Sequence, residues 1–247
     1  IMGITIRAKH QQIEPFKGAN ILVVTGPSTG STMMTVSDLT VKSNVASAYH
    51  CHPNTEESIF VVSGEAEFRV GNHKFQVSAG DCVLAPRGVG HGLKNIGDSD
   101  ARFVCAYPVP IPDRQEIDEP EFVLSEPKQG VFFRGRAESY EFFPGISRYD
   151  MVGNFLGAES TYFSELTFQP GSIAPNHFHP SHEESMFCLE GNLTAVYDKE
   201  NSIELHSGDI FTCEIGVRHG IFNQSKSLGK LLAIHPVLNP PPRVDVE

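Results

Sequence analysis

Two histidines one residue apart, His50 and His52, are followed five residues later by Glu57, with the turn-prone Pro53-Asn54-Thr55 between them. Side chains of a strand alternate faces with a period of two, so both imidazoles leave the same side and can reach one cation. Glu57 can fold back across the turn as a third ligand, with Glu56 as its competitor. His91, just past the Pro86-Arg87-Gly88 turn, supplies a further nitrogen. Three imidazoles and one carboxylate form a set that Fe, Mn, Ni, Co, Cu and Zn all accept, so a divalent transition metal is the expected cofactor.

The arrangement occurs twice. His177, His179, Glu184 and His219 repeat it: His50 to His177 and Glu57 to Glu184 each span 127 residues, and His91 to His219 spans 128. One H-x-H is weak evidence, whereas two tetrads in near-constant register imply one metal per copy. The register runs beyond the ligands. Val36-Ser37-Asp38-Leu39-Thr40-Val41 matches Phe163-Ser164-Glu165-Leu166-Thr167-Phe168, and Phe103 to Val109 matches Leu231 to Val237. A whole domain is therefore duplicated, with an expected division into 1–112, an acidic, proline-bearing linker over 113–126, and 127–247.

These ligands must sit on strands. Residues 20–26 and 33–41 are β-branched runs bounded by Gly and Pro, and no stretch longer than about ten residues carries a 3.6-residue apolar period. Many short strands with Gly, Pro, Asn and Asp turns predict an all-β sandwich or barrel. The proline-rich segment from Asn239 onward reads as an extended tail.

Composition narrows the partners. With 40% hydrophobic and 20% charged residues the chain is an ordinary globular protein, and a net charge of −11 without a Lys/Arg run excludes a nucleic-acid backbone as partner. No segment approaches the 18 or so apolar residues that span a bilayer, so no membrane partner is expected. The first ten residues lack the basic head and apolar stretch of a signal peptide. Cys51, Cys82, Cys105, Cys188 and Cys213 show no C-x-x-C spacing and read as reduced, buried thiols of a cytoplasmic protein.

Both motif pairs resemble the signature of the cupin superfamily, and the chain is similar to a bicupin. Gly171, His177, His179, Glu184 and Gly191 fit its first pattern throughout, while residues 44–64 fit except that Asn44 replaces glycine. Gly80, Pro86, Gly88, His91 and Asn95 fit the second pattern, while Gly208, Gly216, His219 and Asn223 fit with Glu214 in place of proline. The resemblance implies two tandem cupin barrels, that is, double-stranded β-helices of jelly-roll type. It is far more specific for fold than for function.

Strand phase sets the cavity walls. If Glu57 faces in, so do Ile59, Val61, Ala66, Phe68 and Val70, and in the second copy Met186, Cys188, Leu193, Ala195 and Tyr197. Arg69 then points out. No Arg or Lys falls on the inward phase of these strands, so a small dianion such as oxalate lacks the fixed cation it needs. Glu56, Glu183 and His182, off phase or in the turn, read as supporting or solvated groups. His10, His73 and His206 read as surface residues. Tyr107 and His235, equivalent on the last strand of each copy, stand either near the metal or at the rim.

The chemistry expected from site and resemblance together is that of an oxygenase like the flavonol (quercetin) dioxygenase bicupins, acting on an apolar or aromatic small molecule, with Glu57 or Glu184 as base. Two alternatives remain open: non-oxidative isomerisation, lyase chemistry or decarboxylation at the same metal, and binding without reaction. The second copy, with eleven of the seventeen phenylalanines, is favoured as the catalytic one. Packing of the copies is expected to mimic a dimer of one-domain chains, with assembly into a homo-oligomer left open.

Overall fold

The computed structural model describes residues 4–5, 12–198, 201–241 and 243–245. His10 and most of the first ten residues lie outside them. Among the described residues the only helices are three-residue 3₁₀ turns, and none is long and apolar enough to cross a membrane.

Each half folds as two facing sheets. In the first half, one sheet holds Val131–Phe132, Cys82–Ala85, Glu57–Ser63, Ala101–Tyr107, Thr35–Val41 and Ala19–Thr25, in that order. The facing sheet runs Gln115–Glu116, His50–Cys51, His91–Asn95, Glu65–Val70, His73–Ser78 and Val123–Leu124. The second half repeats this with sheets centred on Glu184–Glu190 with Gly229–His235, and on Ile173–Phe178 with His219–Phe222. The fold is all-β, two tandem barrels. The segment expected to link them is partly strand: Gln115–Glu116 pairs with His50–Cys51, and Val123–Leu124 runs parallel to His73–Ser78. Its counterpart at the other end, Val244–Asp245, pairs with Ile173–Phe178, so the tail is an edge strand.

Period-two alternation distributes the apolar residues among three cores. Ile59, Val61, Ala66, Phe68 and Val70 fill the first barrel, and Met186, Cys188, Leu193 and Ala195 the second. The intervening residues, Phe60 and Phe187 among them, face outward into a third core between the barrels, with Leu22, Val36, Val104, Phe163, Leu232 and Ile234. The central strands are thus apolar on both faces because both faces are covered. Arg69, on the outer side as expected, is nonetheless buried, bound to Ser47 O at 2.8 Å and ion-paired with Glu119 of the linker.

The barrels are joined reciprocally. Ile4–Thr5 extends the second barrel's sheet beside Phe211 and Ile210, and Val131–Phe132 extends the first barrel's sheet beside Val83 and Cys82. Glu183 accepts hydrogen bonds from Ser31 Oγ (2.6 Å), Thr32 N and Oγ1 (2.8 Å each) and Met33 N (3.3 Å). Its counterpart Glu56 accepts from Glu159 N and Ser160 N, both at 2.8 Å. Both glutamates are buried, so the expectation of solvated side chains is corrected: each clamps a loop of the opposite barrel.

Candidate metal centre

Cross-strand registry assembles each site. His50 pairs directly with His91, and His177 with His219, while the glutamate is the first residue of an inner strand of the facing sheet. The turn before the last histidine docks on the H-x-H strand: Gly88 N donates to His52 O at 3.0 Å and Gly216 N to His179 O at 2.8 Å. Both glycines have φ +74°, so Glu214 in place of proline leaves the turn intact. Asn44, at φ +62°, takes the left-handed backbone that Gly171 takes at +79°. Asn95 and Asn223 fasten the following loops, donating to Ser99 O and Ser227 O, and tie them to the barrel through Val41 O and Phe168 O.

In the first barrel one donor atom each from His50, His52, Glu57 and His91 lie within 4.8 Å of one another, and in the second the same holds for His177, His179, Glu184 and His219. The expected tetrads converge, with Glu57 and not Glu56 in the ligand position. Nε2 of His52 and of His91 stand 3.2 and 2.8 Å from Glu57 Oε2, and Nε2 of His179 and of His219 stand 3.0 and 2.8 Å from Glu184 Oε2. The Nδ1 atoms of His50, His91, His177 and His219 lie 2.9–3.0 Å from the carbonyl oxygens of Ala48, Val89, Pro175 and Val217. Nδ1–H donation to these carbonyls fixes the tautomer that turns a bare Nε2 toward the centre, as a metal-ligating histidine requires. Donor type, tautomer and convergence all fit a divalent transition metal.

Electrostatics agree. Burial pushes the Glu57 and Glu184 carboxyls up, but the surrounding histidines outweigh it and hold both well below the usual carboxylate range. Burial, with His91 beside it, lowers His50 to about 4 and favours the neutral ring that binds metal.

The surroundings of the two sites differ. Tyr107 donates its hydroxyl to Glu57 Oε1 at 2.7 Å; at the equivalent place His235 Nε2 stands 3.6 Å from Glu184 Oε1. Both residues thus stand beside the ligand glutamate. His182 is fully buried with Nε2 3.1 Å from His235 Nδ1, where the first barrel has Thr55. His73 is half-buried against Ser125, and His206 is exposed.

The second cage opens into a cavity of about 530 Å³ and the first into one of about 200 Å³. Arg148 and Arg243 line the larger, and Arg114 the smaller. The expectation of no fixed cation is therefore corrected. Arg148 lies on an outer strand, Ile146–Val152, opposite Leu166 of the barrel core, and Arg243 on the tail strand's approach. The signal in the sequence was the inward phase that Arg148 shares with Ile146, outside the motif strands.

Residues 38–107 and 164–235 match the family model described as Cupin domain. SchB of Streptomyces halstedii is 28% identical over 108 residues, covering 42% of this chain and 78% of that protein, about one barrel. The structure of the Lactobacillus farciminis oxalate decarboxylase formate complex superposes with a TM-score of 0.79 at 16% identity, over 97% of this chain and 87% of that one. A Bacillus subtilis oxalate decarboxylase structure described for its Mn(II) centres superposes with a TM-score of 0.78 at 14% identity, over 100% of this chain and 80% of that one. At such identities the structural likeness speaks for the fold.

Proposed function

Since the chain belongs to the cupin family and carries its domain twice, we propose that it is a metal-dependent enzyme performing redox-neutral chemistry on a small organic acid, decarboxylation foremost, in the second barrel. The observation that carries this reading is that a three-histidine, one-glutamate cage opens into a cavity of about 530 Å³ lined also by two arginines. Cations beside the cage suit an anionic substrate better than the neutral flavonol that a purely apolar pocket would favour. The likeness to oxalate decarboxylases supports the same direction over the oxygenase expectation.

His177, His179, Glu184 and His219 would hold the metal, which supplies a Lewis acid for a substrate oxygen. Loss of CO2 breaks a carbon–carbon bond and leaves its electron pair on the remaining carbon, which then takes a proton; no electrons leave the substrate. The proton would reach that carbon through the buried His182–His235 pair, whose His235 Nε2 faces the ionised Glu184 Oε1 at 3.6 Å and whose His235 Nδ1 lies 3.1 Å from His182 Nε2. Phe168, Met186 and Leu231 exclude water from the reacting carbon. Glu57 would hold metal in the first barrel, where the smaller cavity suits a lesser or structural part.

The test is to load the full chain with Mn(II), supply a panel of carboxylic acids, and follow CO2 release together with oxygen uptake. Acid consumption without net oxygen uptake, lost in Glu184→Gln, is expected. Stoichiometric oxygen uptake with flavonols or β-diketones would overturn the reading in favour of the oxygenase.

A further inference from the structure

The second barrel's cavity is lined by two guanidinium groups, each held by an acidic partner. Arg148 Nε donates to Asp150 Oδ1 at 2.7 Å, and Arg243 Nε lies 2.7 Å from Asp245 Oδ1. The arginine side chains are 14% and 16% exposed, the aspartates 28% and 68%. Arg148 therefore presents its positive end to the cavity with Asp150 outside the lining, whereas Arg243 and Asp245 both line it, so Arg148 is the cation whose charge the cavity wall leaves uncompensated. Aromatic faces fix the planes: Arg148 lies 4.6 Å from the Phe142 ring and 5.4 Å from Tyr162, and Arg243 lies 4.4 Å from Phe143. Arg243 Nη1 reaches within 3.5 Å of His177 Nδ1, which places this guanidinium against the metal cage itself. Arg148 has no equivalent in the first barrel, where Ile21 occupies its place; Arg243 does, in Arg114 with its partner Glu116 at 2.9 Å.

Beside the arginines the wall is apolar, formed by Leu166, Phe168, Met186 and Leu231. A two-carbon dianion would leave most of this space unfilled. A molecule with a single carboxylate and an apolar, ring-sized body would satisfy both the arginine donors and the apolar wall.

Resting on the reading of the second barrel as the site of an organic acid, we propose that its substrate is a monocarboxylate with an aromatic or similarly bulky apolar body, and that Arg148 is the residue that selects for the carboxylate, with Arg243 as its companion. Arg148 holds the anion through the Nη edge that Asp150 leaves open. The body fills the barrel, and the first barrel, lacking Arg148, discriminates less.

Calorimetry on the Mn(II)-loaded full chain tests this with phenylacetate, its neutral isostere phenylacetamide, acetate and oxalate. Phenylacetate is expected to bind about 10-fold or more tightly than each of the others, the size of effect a charge-assisted hydrogen bond or a buried ring produces. Arg148→Gln should remove the preference for phenylacetate over phenylacetamide while leaving phenylacetamide affinity unchanged, which also reports that the barrel is intact. Arg148→Lys should restore part of the preference. Equal binding of acid and amide by the wild type, a preference that survives Arg148→Gln, or oxalate or acetate binding as tightly as phenylacetate would each overturn the proposal. Because binding is read without turnover, selectivity that depends on Arg148 in a protein releasing no CO2 would leave this proposal standing and defeat the reaction instead.

Discussion

Tyr107 is the side chain whose loss separates ligand support from ligation. Its hydroxyl reaches Glu57 Oε1 at 2.7 Å in a buried site, so Tyr107→Phe leaves the four ligands in place and removes one donor that orients the carboxylate. Metal affinity of the first barrel should fall about 10-fold, the lower end of what such outer partners contribute. The second barrel, with His235 at that place, should be unaffected; chelator competition on the two-site protein checks both. The cysteines lead to a different prediction. None of the five forms a disulfide and all are buried, and burial pushes the Cys188 thiol up to about 12 and raises Cys82 and Cys213 as well. A raised thiol pKa keeps the unreactive S–H form through neutral and mildly alkaline pH. A thiol reagent at mildly alkaline pH should therefore label almost none of them in the native protein and all five in denaturant. At this scale the sequence was most legible for the ligands, because H-x-H and a glutamate five residues on constrain geometry locally. It was least legible for Arg148, Arg243 and the His182–His235 contact, which come together only when strands distant in the chain close the barrel.

The strands obeyed their phase. Ile59 and Val61 turn in and Phe60 turns out, and Met186 and Cys188 turn in with Phe187 out, as period-two alternation requires. The turns between them carry the family's glycines, and two of these have different burdens. Gly191 sits at φ +77°, where an added Cβ would collide with Leu228 O; Gly171 sits at φ +79° with nothing within 4 Å. Gly171→Ala should cost about 1–2 kcal/mol, the left-handed backbone alone. Gly191→Ala should cost at least roughly twice that, since backbone must also move. Urea unfolding of the two variants gives the order directly, and equal midpoints would contradict it. Of the two positions where the chain departs from the motif, Asn44 was readable in advance, since asparagine takes the left-handed turn; that the turn at Gly216 keeps its geometry without proline was not.

Between the barrels, adjacent glutamates divide their work by facing opposite ways. Glu184 turns into the cage and Glu183 turns out to hold Ser31, Thr32 and Met33 of the other barrel. Local phase places Glu183 away from the metal but cannot show what awaits it, which is why the sequence leaves it as either a supporting or a solvated group and does not reveal the clamp. Glu183→Ala leaves several donors without an acceptor and should destabilise the chain by about 3 kcal/mol with metal content unchanged. Glu184→Ala should lose one metal equivalent while the clamp stays made. Thermal unfolding and elemental analysis on both variants separate the two effects. The exchange of Ile4–Thr5 and Val131–Phe132 onto opposite sheets carries the same relation to the edges: each half finishes the other's hydrogen-bonded ladder. Two identical chains joined in that way would have to accept every mutation in duplicate. Here the partners are tethered in one polypeptide and each change falls once, so histidines could settle at 182 and 235 while threonine and tyrosine stay at 55 and 107. Tethering has thereby freed one bowl of the pair to specialise without disturbing its twin.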